Sequence, residues 1–245
     1  MKIKVSIITI NYNESNALKR TIDSVSSQKK CDFEYVVVDG GSCDESVQVI
    51  KSNAHVVDIY ISEPDSGIYN AMNKGMELAS GEYILYLNSG DVFSDAYVVK
   101  KIIDVLSLIN GFDAYYGHAK VDDNKEKRVS TIEKYWKTMF YCHQSLLLRR
   151  SIALQYKFDE SYSIAADFEQ SIRLHAHGVR FRPLDFVVAC ISSGGVSDTK
   201  RWLSISQRIK ALKSNRLWKK HYYLYYAWVY FYNFAISGVK FFLRK

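Results

Sequence analysis

The sequence predicts an α/β fold: a mostly parallel sheet flanked by helices, followed by a basic, aromatic-rich helical segment. Three observations carry that expectation. Strand-like and helix-like patterns alternate through the first hundred residues. The first strand candidate, "KVSIITI", is a continuous apolar run, as a strand covered on both faces would be. The stretch from residue 200 onward has a composition unlike the rest.

The elements follow in order. After "KVSIITI", the segment "NYNESNALKRTIDSVSSQ" offers Asn13 or Ser15 as a helix cap, with Ala17, Leu18, Ile22 and Val25 at helical spacing. "FEYVVVDGGS" is a second strand and "DESVQVIKSN" a second helix. "VVDIYISEPDSG" and "IYNAMNKGMELAS" form the third pair, "EYILYLNSGD" and "DAYVVKKIIDVLSLI" the fourth. Alternation at this spacing implies right-handed crossovers. A ligand then belongs beyond the C-terminal strand ends, where strand order switches. Beyond residue 110, "FDAYYGHAKV" and "FRPLDFVVACIS" read as strands, "TIEKYWKTMF" and "DFEQSIRLHAHG" as helices, the latter ending at Gly178 as C′ residue.

At 245 residues, 48% hydrophobic, the chain suffices for one good-sized core. Its net charge of +7 is unevenly spread: residues 200–245 hold eleven Lys/Arg and no Asp or Glu. Residues 1–199 keep 22 of the 33 basic residues against all 26 acidic ones, a net of −4. The expected organisation is a domain over 1–199 and an appended segment over 200–245. Cys31, Cys43, Cys142 and Cys190 form no CxxC pair, so reduced cytosolic thiols are the simpler reading. The apolar run after the first lysines is too short and too β-branched for a signal peptide and reads as a strand. No GxGxxG follows the first strand and no GxxxxGK[ST] occurs, which argues against a dehydrogenase or an ATPase.

The strand ends are polar: Thr9, Asn11, Tyr12 and Asn13; Asp39-Gly40-Gly41-Ser42; Glu63-Pro64-Asp65-Ser66-Gly67; Asn88-Ser89-Gly90-Asp91. Each admits a plain reading beside a functional one. Asp39 is a turn carboxylate capping the next helix, or an acceptor for a base N–H. Tyr12 offers a ring for stacking a base. Asp65 and Gly67 form a cap and turn, or open a helix whose N-terminus suits a diphosphate; Tyr69 and Asn73 share one face of that helix. Asn88–Asp91 is a tight turn, or a place for a cation. Asp167 is an acid favoured by a helix dipole, or a working carboxylate. His143 and Gln144 precede an apolar run, where a lone His is more often structural.

"ITINYNE", "VVVDGGSCDES", "SEPDSGIYNAMNKG", "YLNSGD", "CHQSLLLRR", "IAADFEQSIRL" and "SSGGVSD" occur in this order. Together, over roughly residues 3–198, they resemble a family 2 glycosyltransferase of the GT-A fold, of the type used in bacterial exopolysaccharide and O-antigen (lipopolysaccharide) assembly. The resemblance implies metal-dependent, inverting transfer of a hexosyl or N-acetylhexosaminyl group from a nucleotide-sugar, UDP-linked, to a hydroxyl of a lipid-linked saccharide. It implies that Asp39 contacts uracil or another nucleobase, flanked by Thr9, Tyr12 and Asn13. Asp65, Tyr69 and Asn73 would serve the nucleotide and the sugar's surroundings. Asn88–Asp91 matches the family's Asp-x-Asp metal motif with Asn88 and Gly90 in place of carboxylates. Asp91 would then hold Mn²⁺ or Mg²⁺ with the substrate phosphates and water, beside Asn88, Ser89 and Gly90 on the donor. Asp167 matches the general base, with Glu169 a weaker substitute. His143 and Gln144 would edge the pocket, and Gly194–Asp198, including Gly195, would fold over the diphosphate with Lys200 and Arg201. The alternative is a catalytically impaired nucleotide-sugar-binding module or scaffold; a nucleotidyltransferase lacks its glycine-rich basic loop.

Residues 218–245 hold twelve aromatics between basic clusters, and His221 to Val239 carries no Lys, Arg, Asp or Glu. That approaches a membrane span. Its tyrosines and Asn233 instead favour insertion at the headgroup level, assisted by basic residues near an anionic leaflet. The expected location is therefore cytoplasmic, peripheral at the inner face of the cell membrane. A nucleic-acid tail ranks lower because the charges flank the aromatics, and a plain helix pair packed on the core is the remaining reading.

Overall fold

The computed structural model describes residues 5–121, 125–127, 132–192 and 200–242. Among the described residues, nine strands form one sheet: β1 (Val5–Asn11), β2 (Glu34–Asp39), β3 (Ile59–Ser62), β4 (Tyr83–Tyr86), β5 (Val92–Phe93), β6 (Ala114–Val121), β7 (Lys125–Lys127), β8 (Leu146–Arg149) and β9 (Phe181–Ile191). Their order is β3-β2-β1-β4-β8-β6-β9-β5, with β7 on β6. The first four are parallel, as the alternation predicts. The other half is mixed: β8 runs antiparallel between β4 and β6, β6 and β9 are parallel, and β5 is antiparallel to β9. Because β2 and β4 lie on opposite sides of β1, the strand order switches there.

The helices are α1 (Ser15–Ser26), α2 (Ser46–Ser52), α3 (Ile68–Leu78), α4 (Val98–Leu108), α5 (Arg150–Gln155), α6 (Ala166–Ala176), α7 (Arg201–Ser214) and α8 (Tyr222–Phe242). Alternation along β1 sorts them into two layers. Val5 and Ile7 face Leu18, Ile22, Ile50 and Ile102 of α1, α2 and α4. Ile8 and Ile10 belong to the other core, with Met72, Met76, Phe168, Leu212, Tyr222 and Tyr226 of α3, α6, α7 and α8. The segment from residue 200 thus packs one face on the same core as the preceding domain.

Two local expectations differ. Neither Asn13 nor Ser15 caps α1 with its side chain; Asp44, from the loop before α2, accepts the Ser15 N–H at 2.9 Å. "TIEKYWKTMF" keeps only a 3₁₀ turn at Ile132–Lys134. Its Thr, Tyr, Trp and Phe are indifferent helix formers, and tertiary contacts win: Trp136 stacks on Tyr222 at 4.1 Å, and its carbonyl accepts the Tyr226 hydroxyl.

α3 crosses β1 at Gly75, where a Cβ would lie 2.5 Å from Ile8 Cγ2. Gly→Ala within a helix ordinarily gains ~1 kcal/mol, whereas overpacking a core costs ~1–3 kcal/mol. Gly75→Ala is expected to lower the urea midpoint, by up to about 2 kcal/mol of stability; a raised midpoint would contradict this close approach.

Candidate functional site

A cleft of about 980 Å³ opens at the C-terminal ends of β1, β2 and β4. Of the residues expected from the sequence, Tyr12, Asp65, Asn88, Ser89 and Gly90 line it, together with Asn11. Tyr12 stands at the rim with 64% of its surface exposed. Asp65 is braced by its own turn, Oδ1 accepting the Gly67 N–H at 2.8 Å. Asn13 has a left-handed backbone and binds the neighbouring loop, its Oδ1 accepting the Cys43 N–H.

Beneath this cleft lies a knot of hydrogen bonds. The Asn11 amide donates to Asp39 Oδ1 at 2.8 Å and to Ser46 Oγ at 2.9 Å, while its Oδ1 accepts from Ser89 Oγ at 2.8 Å. Asp39 also accepts from Ser42 N, Ser42 Oγ and Ser62 Oγ. Burial alone would raise this carboxyl's pKa, but the donors from Ser42, Asn11 and Ser62 outweigh it and hold it below the usual range. Asp39 is fully covered and already has four donors, so it shapes the cleft floor where the sequence reading made it a base acceptor. Thr9 is covered too: its hydroxyl donates to Leu87 O at 2.7 Å and pairs with Tyr35.

α1 carries the 88–91 turn. Gly90 N–H donates to Thr21 Oγ1 at 2.9 Å, and the Thr21 hydroxyl donates to Asp91 O at 2.8 Å. Asn88 Oδ1 is buried without a hydrogen-bond partner among the described residues. The Asp91 side chain is mostly buried, which pushes its pKa up to about 6. The Gln144 side chain, the Ser192 N–H and the charge of Arg20 pull the other way. Gln144 thus lies near enough to Asp91 to favour its ionised form, and its Oε1 accepts from Cys142 Sγ at 3.0 Å. Arg20, which the sequence pattern does not single out, and Ser192, the first residue of "SSGGVSD", also line the cleft.

Asp167 sits in the first turn of α6, where Oδ1 accepts the Tyr69 hydroxyl at 3.1 Å. Burial, and then the charge of Asp167, push the Tyr69 pKa far upward, so this phenol stays a donor. α3 thus links the carboxylate to the cleft, which Ile68 and Ala71 of the same helix line. Glu169 is turned away and paired with Arg173 at 3.0 Å, as a side chain two positions along a helix would be.

Two expected residues serve the core. Asn73 spans the backbone of Phe158, donating to its O and accepting from its N at 3.0 Å each, and donates to Glu160. His143 is packed between Tyr86 and Phe158, and burial lowers its pKa although the charge of Asp167 opposes this. Gly195 and the rest of 194–198 lie outside the described residues. Among the described residues, no group of three or more His, Cys, Asp or Glu is placed to hold a metal.

The raised Asp91 pKa fixes a pH dependence. Between about pH 4 and pH 6 the folded chain keeps a proton that the unfolded chain releases, so stability falls as pH rises through this window. Asp91→Asn abolishes that fall. In metal-free buffer, urea unfolding should show wild type losing about 2–3 kcal/mol relative to the variant between pH 4 and pH 7.5. A constant difference would mean that Asp91 is well solvated.

A family model described as "Glycosyl transferase family 2" matches residues 6–156. A Mycobacterium tuberculosis protein described as an uncharacterized glycosyltransferase is 40% identical over 104 residues, 42% of this chain and 40% of that one. The chain thus spans about two fifths of that relative's length. A PGL/p-HBAD biosynthesis glycosyltransferase of Mycobacterium bovis is 28% identical over 202 residues, 79% of each chain. Among solved structures, S. aureus TarS 1–349 in complex with UDP-GlcNAc superposes with a TM-score of 0.69 at 15% identity, over 87% of this chain and 65% of that one. A Pyrobaculum calidifontis mannosyltransferase in complex with GDP-Man and Mn²⁺ gives 0.67 at 15% identity, over 88% and 65%. The sheet and its flanking helices are the GT-A fold, and with the family model spanning well over half of its length the chain belongs to glycosyl transferase family 2.

Proposed function

We propose that the protein transfers a sugar from a nucleoside-diphosphate donor, UDP-linked, to a hydroxyl of a lipid-linked saccharide, with inversion at the anomeric carbon. The observation that carries this reading is the cleft across three strand ends with Asp167 tied to it through Tyr69. Neighbours of the same fold crystallised with UDP-GlcNAc and with GDP-Man and Mn²⁺ support the donor class.

The exposed Tyr12 ring gives the base a stacking face. The residues at the turn suit a hard cation: Asn88 Oδ1 is a buried carbonyl oxygen without a partner, and Asp91 is a carboxylate. One or two such ligands suffice where phosphates and water complete the shell. Asn88 and Asp91 would hold Mn²⁺ or Mg²⁺, which when bound neutralises charge on the departing diphosphate. Asp167 takes the proton of the acceptor hydroxyl as that oxygen bonds to the anomeric carbon. The bond from this carbon to the phosphate oxygen breaks, and the nucleoside diphosphate leaves. Tyr69 fixes the carboxylate through Oδ1. One displacement gives inversion.

The lipid-linked acceptor fits the free face of α8. Tyr222, Tyr226 and Asn233 are buried, while Leu224, Trp228 and Phe231, at i, i+4 and i+7, are 79%, 59% and 72% exposed. Lys213, Lys219 and Lys220 are exposed nearby, and residues 200–245 contain no acid. An aromatic stripe with basic flanks fits the headgroup zone of an anionic bilayer. Among the described residues no helix is long and apolar enough to cross a membrane.

Asp167→Asn is expected to lower kcat by ~10²–10⁴-fold with UDP affinity retained by calorimetry; normal turnover would remove Asp167 as base. Replacing Trp228 and Phe231 by Ser should reduce co-sedimentation with vesicles containing phosphatidylglycerol by at least ~10-fold, and neutral vesicles should bind wild type more weakly. Self-association without vesicle binding would assign the stripe to a second copy instead.

A further inference from the structure

Arg20 has no counterpart among the residues that the sequence pattern singles out, yet its position in the cleft is specific. It lies on the same helix as Ala17 and Thr21, whose carbonyl and hydroxyl accept the Gly90 N–H at 3.2 and 2.9 Å. Those bonds fix α1 against the turn and set the Arg20 side chain over it. Arg20 Nη2 lies 3.6 Å from the point that a Cβ on Gly90 would occupy. Gly90 has φ +94, a backbone that side chains rarely adopt, and its missing Cβ leaves the space beside the guanidinium open.

The charges sharpen the point. Glu14 and Asp65 line the cleft, and Asp91 lies near Ser192, which also lines it. Of the described residues lining it, Arg20 is the one cation. It forms no ion pair within 4 Å among the described residues, whereas Lys74 of α3, on the other side of the sheet, is paired with Glu63 at 2.7 Å. Arg20 acts on Asp91 only at longer range, after burial, Gln144 and Ser192. A guanidinium that is held over a turn, open to a ligand cleft and unpaired is matched in geometry by the oxygens of a phosphate.

We propose that Arg20 binds the diphosphate of the donor and stabilises the charge that develops on it as the sugar–phosphate bond breaks. The inference rests on the donor reading of the cleft. Within that reading, it adds a residue that carries diphosphate affinity independently of the cation held at Asp91.

Calorimetry on the full chain, with UDP and uridine as probes and with Mn²⁺ or EDTA, tests it using Arg20→Gln and Arg20→Lys. Arg20→Gln is expected to weaken UDP binding by ~10–100-fold and to leave uridine binding unchanged. Arg20→Lys should recover part of the loss, since an ammonium supplies the charge without the fork. In EDTA the wild type should keep measurable preference for UDP over uridine, and Arg20→Gln should lose it. Thermal unfolding should be unchanged, because the side chain is exposed. Unchanged UDP affinity in Arg20→Gln, or equal losses for UDP and uridine, would overturn the assignment while the donor site stands. A wild type that binds neither probe would overturn the donor reading, and this inference with it.

Discussion

The arrangement of the cleft depends on one buried carboxylate. Asp39 ends β2 in register with Asn11 of β1 and Ser62 of β3, and its four hydrogen bonds come from residues of all three strand ends. An ionised group without donors at this depth costs several kcal/mol, so the loops can hold only conformations that keep those donors pointed inward. Asn11 extends the constraint across the switch point, because its carbonyl accepts from Ser89 at the end of β4. The heights of three loops are therefore coupled. The lining groups, from Tyr12 to Gly90, are carried on a floor whose shape is set by charge satisfaction more than by apolar packing.

The same knot explains what was legible in the sequence. A buried parallel strand must be apolar until it ends, so its polar ends mark a site without any knowledge of the fold. That located Tyr12, Asp65 and Asn88–Asp91. Adjacency to a strand end does not say which way a side chain turns, and Thr9 and Asp39 turn under the floor. Spacing showed that Tyr69 and Asn73 share a face of α3, but not that this face meets Phe158 and Asp167 from distant parts of the chain. Arg20 stands among Lys19 and Asp23 on a solvated helix, and Lys19 and Asp23 pair with each other at 2.9 Å. Local pattern could not separate a working guanidinium from its neighbours there.

Non-local pairing was the other gap. β8 enters between β4 and β6, strands far from it in sequence, and the turn that precedes it places Gln144 near Asp91. The segment around Trp136 likewise takes its conformation from α8 and not from its own propensity. α8 packs Tyr222 and Tyr226 on the core, as the helix-pair reading has it, and leaves Leu224, Trp228 and Phe231 exposed, the face that the proposed interfacial role would use.

The single carboxylate of the 88–91 turn is best understood as part of a charge balance. Asp91 is short of solvation, and its carboxyl resists ionising until about pH 6, so a cation beside it relieves a cost already present in the folded chain. A divalent ion facing one carboxylate leaves a net positive charge, whereas two or three carboxylates would cancel it. Arg20 adds a further positive charge beside Gly90. With Asn88 and Gly90 where the resemblance expects carboxylates, a turn that holds such an ion would be more attractive to a diphosphate. With fewer protein ligands such an ion would be held more by the substrate's own oxygens. In the proposed reading, metal affinity and donor affinity would then rise and fall together, and Arg20 would be the part of the attraction that does not depend on the ion.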